Sequence, residues 1–68
     1  MQMFLAQGVI EKFEYGETNH ITILDIRLVQ ADDCDAALVK YYKFWNNKSR
    51  DYEVTYHVAR IEMIETLV

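Results

Sequence analysis

One segment of this chain has a helical period, and everything around it reads as extended. In residues 32–47, Cys34, Ala37, Leu38, Tyr41 and Trp45 recur at i, i+3, i+4, i+7 and i+11. That is one apolar stripe with a period near 3.6 residues. A helix of about 15 residues is marginal on its own, so the stripe must be buried. The extended flanks make a sheet the surface it packs on, with Cys34, Leu38, Tyr41 and Trp45 facing it. Asp32 is the expected N-cap, and Asp35 completes a variant of the capping box. Aspartates in the first turn and Lys40, Lys43 and Lys48 toward the far end suit the two poles of the helix dipole. Asn46 or Asn47 is the expected closing residue, because Asn tolerates the left-handed conformation.

Three strands are expected around this helix. Residues 3–15 carry Phe4, Ala6, Gly8 and Ile10 on one parity and Leu5, Val9 and Phe13 on the other, so either both faces are partly covered or a bulge shifts the phase. Gly8 is the natural bend or close-approach point, and a twist in a long strand accounts for it without a ligand. Residues 16–19, with Gly, Thr and Asn, form a hairpin turn. In residues 20–30, Ile21 and Ile23 share one face, and Leu24, Ile26 and Leu28 the other. Asp25 and Arg27 are expected on the more exposed face, pairing across the sheet for about 0.2–1 kcal/mol. Residues 52–66 alternate cleanly through Tyr52, Val54, Tyr56 and Val58, and after Ala59 the phase changes.

The expected fold is therefore α+β: a three-stranded antiparallel sheet (β-β-α-β, order 2-1-3) packed on one face by a single helix at about 33–47. A third strand lying parallel to the second is the alternative, a legal right-handed crossover but a less common mixed sheet. All 68 residues belong to a single domain. A chain this short buries only about 60% of its unfolded surface, yet 51% of its residues are apolar or aromatic. One helix covers one sheet face, so a surplus of Leu5, Val9, Ile21, Ile23 and one set from the third strand is left over. An apolar patch of that kind marks an interface, which points to a homodimer, sheet against sheet or edge to edge. A monomer whose twisted strands curl round the helix is the alternative.

The one cysteine fits a reducing compartment and a buried place on the helix face. With no signal peptide and no long apolar run, a cytoplasmic protein is expected. No cofactor or metal is expected: His20, His57 and Cys34 lack ligand spacing, and helix capping accounts for Asp32, Asp33 and Asp35. A phosphate loop is absent, and the one serine, Ser49, lies in a polar turn.

Charge is distributed unevenly. Residues 1–35 hold seven acidic and two basic side chains, whereas residues 40–50 hold Lys40, Lys43, Lys48 and Arg50 and no acid. Tyr42 and Phe44 sit among them, off the main stripe. One reading is dipole complementarity on a solvated helix face. The other is a protein-binding surface of Lys40, Tyr42, Lys43, Phe44, Lys48 and Arg50, since aromatics beside basic residues are typical hot-spot material. A net charge of −4 opposes nucleic acid as the partner. The function these features imply is a small noncatalytic interaction protein that binds and modulates a larger protein. The alternatives are a nucleic-acid-binding module using the basic and aromatic patch, and a small dimeric enzyme with its site at the subunit interface. In size and style, with no motif behind it, the chain resembles the small proteins that bacteriophages encode. That resemblance implies a regulator or inhibitor of a host protein.

Overall fold

The computed structural model describes residues 1–16, 18–49 and 53–67. The chain forms strand β1 (Gln2–Glu14), strand β2 (Ile21–Ala31), helix α1 (Cys34–Lys48) and strand β3 (Val54–Thr66). All pairing is antiparallel and the strand order is β2-β1-β3, so the long first strand is the centre of the sheet. Tyr52, expected at the start of the third strand, lies outside the described residues.

The core sits between the helix and one sheet face. It contains Phe4, Ala6 and Ile10 of β1, Val29 and Ala31 of β2, Val58 of β3, and Ala37, Tyr41 and Trp45 of the helix. The helix stripe thus narrows to i, i+4, i+8. Leu38 is only partly buried and Cys34 is exposed, which corrects the expectation that both face the sheet. The reason lies at the entry to the helix. β2 runs one residue beyond its expected end, to Ala31, and the N-cap is Asp33, not Asp32. Asp33 is extended and its carboxylate accepts from Ala36 N at 2.8 Å. Cys34 is then the first helical residue, set at the rim of the interface.

The other helix end also differs from expectation. Ser49, not an asparagine, closes it in an extended conformation, and its N–H reaches the carbonyls of Trp45 and Asn46. Ser49 Oγ donates to Trp45 O at 3.3 Å and accepts from Tyr56 N at 2.9 Å. The side chain fastens the helix end directly to β3, so no left-handed residue is needed there.

Two register shifts between β1 and β3 explain the third strand's irregular pattern. Gln7 and Gly8 pair with Met63 and Ile61, passing over Glu62, while Val9 and Ile10 pair with Arg60 and Val58, passing over Ala59. Each bulge returns an apolar residue to the helix side. Tyr56, Val58, Ile61 and Ile64 therefore all reach the core although the steps after Val58 are three residues, not two. In the hairpin between β1 and β2, Gly16 has φ +88°, a conformation that favours glycine.

Gly8 is a point of close approach. A Cβ there would stand 2.5 Å from the Tyr41 hydroxyl oxygen and 3.0 Å from two ring carbons. Gly8, on the central strand, leaves the hollow that the Tyr41 ring fills.

Candidate interaction surfaces

The Tyr41 hydroxyl organises the first polar cluster. It donates to Asp25 Oδ2 at 3.0 Å. Arg27 grips the same carboxylate with two bonds, Nε to Oδ2 at 2.8 Å and Nη2 to Oδ1 at 2.9 Å. The side chains are 13% and 29% exposed, Asp25 and Arg27 respectively. These two residues therefore lie on the helix-covered face and pair along one strand, which corrects their expected placement on the exposed face. Antiparallel pairing decides it: Asp25 is opposite Gly8 and Arg27 opposite Ala6, on the side that β1 turns to the helix. The small residues opposite leave room for them, and their mutual hydrogen bonds offset the cost of burial.

Charge states in the cluster are locked. Burial pushes the Tyr41 phenol up to about 12, and its hydrogen bond to the anionic Asp25 adds to that. For Asp25, burial works upward, but the hydrogen bonds from Arg27 and Tyr41 and the Arg27 charge outweigh it, leaving the carboxyl below its ordinary value. The hydrogen bond to Asp25 raises Arg27 further, against a smaller opposing effect of burial. None of the three changes charge near neutral pH, so the cluster acts as an electrostatic clasp between helix and sheet.

Over the clasp lies the aromatic part of the expected binding patch. The Arg27 guanidinium stacks 3.8 Å from the Phe44 ring centre and lies 5.3 Å from that of Trp45. Lys48 Nζ is 5.8–5.9 Å from the rings of Phe44, Trp45 and Tyr56. Lys40 Nζ donates to the Gln30 carbonyl at 2.6 Å. Lys40, Phe44 and Lys48 thus share a helix flank at i, i+4, i+8. Tyr42, two residues from Phe44 and so about 200° round the helix, is on the opposite flank, and Lys43 is exposed on the outer side. Arg50 lies outside the described residues. Arg27 is the member that sequence reasoning missed, since strand parity alone does not tell which face the helix covers.

The second surface is the sheet face away from the helix. On β2 it presents Leu24, Ile26 and Leu28, 75%, 61% and 60% exposed, beside their β1 partners Val9, Gln7 and Leu5. The surplus expected from the sequence is present, but β2 contributes Leu24, Ile26 and Leu28 to it. Ile23, expected there, packs against the core. Charged groups on this face are Arg60 and Glu65 of β3, with Glu11 of β1 beyond the apolar row, opposite Thr22 and His57. Val9 is 5% exposed even here, between Leu24 and Arg60.

Open clefts also lie on the described surface. One of about 480 Å³ is lined by Lys12, Asn47, Lys48, Glu53, Val54 and Tyr56. A smaller one of about 260 Å³ lies near His20, whose Nε2 is 2.9 Å from Glu11 Oε2. Among the described residues there is no group of three or more side chains able to hold a metal ion, and no helix long and apolar enough to cross a membrane. Comparison with protein-family models, with curated proteins and with solved structures finds no match.

Proposed function

We propose that this chain is a noncatalytic interaction protein, homodimeric, that binds a larger protein and modulates it. The observation that carries this reading is the row Leu24, Ile26 and Leu28 on an uncovered sheet face, each more than half exposed. Contiguous apolar surface of this kind is rare on a protein without a partner. The flank of Lys40, Phe44 and Lys48, with Arg27 stacked beneath Phe44, supplies an aromatic and basic contact at the neighbouring edge. A regulator or inhibitor of a host protein, the role implied by the resemblance to small phage proteins, is the form this binding takes.

The test is a pull-down from the source cell's lysate with and without nuclease. It is run with the wild type, with Leu24→Lys and with the Lys40→Glu, Lys43→Glu double variant. One specific protein, recovered after nuclease and lost with Leu24→Lys, supports binding through the open face. Loss with the double variant instead moves the contact to the helix. Recovery of nucleic acid alone, with a steep dependence on salt, overturns the proposal.

A further inference from the structure

β2 is an edge strand, and its backbone geometry follows from its neighbours. Met3 O accepts from Leu67 N at 2.8 Å, and Tyr15 N donates to Glu53 O at 2.9 Å, so odd residues of β1 turn their peptide groups toward β3. The β1–β2 ladder is unbroken, so even residues of β1 bond to odd residues of β2. Thr22, Leu24, Ile26, Leu28 and Gln30 are left with N–H and C=O groups directed at the open edge. Of these, the Gln30 carbonyl already accepts Lys40 Nζ.

The sequence of this edge is self-complementary about Ile26. Read antiparallel against itself, it sets Ile21 on Ala31, Thr22 on Gln30, Ile23 on Val29, Leu24 on Leu28 and Asp25 on Arg27, with Ile26 on the axis. Apolar residues meet apolar, polar meet polar, and acid meets base. Among twofold registers centred on residues 24 to 28, only this one mates the charges. Centring on residue 25 or 27 sets two aspartates or two arginines face to face, and the remaining two set charges against apolar side chains. Among the described residues Arg27 Nη1 has no acceptor, so it is available to a second carboxylate.

We infer that two copies of this chain join edge to edge through β2, antiparallel and centred on Ile26, into a continuous six-stranded sheet. This rests on the homodimer reading above and specifies its geometry. Leu24, Ile26 and Leu28 exchange about six backbone hydrogen bonds with the partner. Asp25 and Arg27 cross-pair with the partner's Arg27 and Asp25 in the closely spaced, non-hydrogen-bonded positions. The pairing places the two copies' apolar rows side by side at the middle of one enlarged open face.

Charge exchange across the axis tests this. D25R and R27D are purified separately, checked for native circular dichroism, and weighed by light scattering at micromolar concentration against the 8.1 kDa chain mass. Each variant alone sets like charges opposite each other twice, so its dimer weakens by roughly tenfold or more. A one-to-one mixture mates every charge and restores a dimer of twice the chain mass. Variants that dimerise as the wild type does, or a mixture that stays monomeric, overturn this interface while leaving self-association through another surface standing. A monomeric wild type overturns both. Should either variant fail to fold, Ile26→Cys in a Cys34→Ser background replaces it. Hydrogen-bonded antiparallel partners have Cα atoms about 5.5 Å apart, within disulfide reach, so mild oxidation links the dimer. Leu5→Cys in the same background, on the central strand, does not link. Linkage through Leu5→Cys and not Ile26→Cys means sheet-on-sheet packing and overturns the proposal.

Discussion

Gly8→Ala separates two explanations of that glycine by the sign of its effect. If Gly8 merely let the strand twist, alanine would stabilise the protein by about 0.5–1 kcal/mol, because glycine loses more backbone freedom on folding. The structure predicts the opposite. The added Cβ would lie 2.5 Å from the Tyr41 hydroxyl oxygen and 3.0 Å from Cε2 and Cζ. Tyr41 is fully buried, and its hydroxyl is held 3.0 Å from Asp25 Oδ2. The ring must therefore withdraw by roughly half an ångström or more against a close-packed core, stretching that bond. Overpacking of this kind costs about 1–3 kcal/mol, and the backbone gain offsets part of it. At the middle of these two ranges the net loss is about 1 kcal/mol, a fall in Tm of about 4–8 °C in a domain of this size.

Urea unfolding followed by the fluorescence of the single tryptophan, Trp45, measures it directly, since that ring is 4% exposed and touches the same core. Tyr41→Phe completes the cycle. Alone it costs about 1.5–3 kcal/mol through the lost hydrogen bond to a charged group. It also removes the 2.5 Å contact, so the double variant is less destabilised than the sum of the singles by about 0.5–1 kcal/mol. A Gly8→Ala protein as stable as the wild type, or singles that add without coupling, would refute the account of Tyr41 seated on Gly8.

Two further predictions rest on the same region. The Tyr41 proton is held more tightly in the folded state, so its contribution to stability is complete below pH 10 and is lost between pH 10 and about 12; Tyr41→Phe flattens that alkaline limb in pH-dependent melts. Asp25 has the opposite sign: its lowered carboxyl contributes above the unfolded value of 3.8 and is lost as pH falls through the lower folded value, so Asp25→Asn reduces the acid sensitivity. Cys34, exposed at the first helical residue, reacts with a thiol reagent in the native protein as fast as after unfolding; labelling that requires denaturant would return Cys34 to the core.

The helix, its length within one residue, and the burial of Tyr41 and Trp45 were legible in the sequence, because a 3.6-residue apolar period has one geometric meaning. The antiparallel order 2-1-3 followed from short connections between alternating segments. The phase change after Ala59 was visible for the same reason, as a break in a period of two. What the sequence left open was the choice between faces. β2 carries apolar residues on both parities, so Leu24, Ile26 and Leu28 are as apt for burial as Ile23 and Val29. Only pairing with β1, whose Ala6 and Gly8 leave space for Arg27, Asp25 and Tyr41, turned the charged pair inward and the three aliphatics outward. The helix patch divided in the same way. Tyr42 and Phe44 are neighbours in sequence, but the rotation of the helix over the sheet put Phe44 on Arg27 and Tyr42 on the far side. Periodicity states which residues share a side, whereas the partner each side meets depends on contacts between elements far apart in the chain.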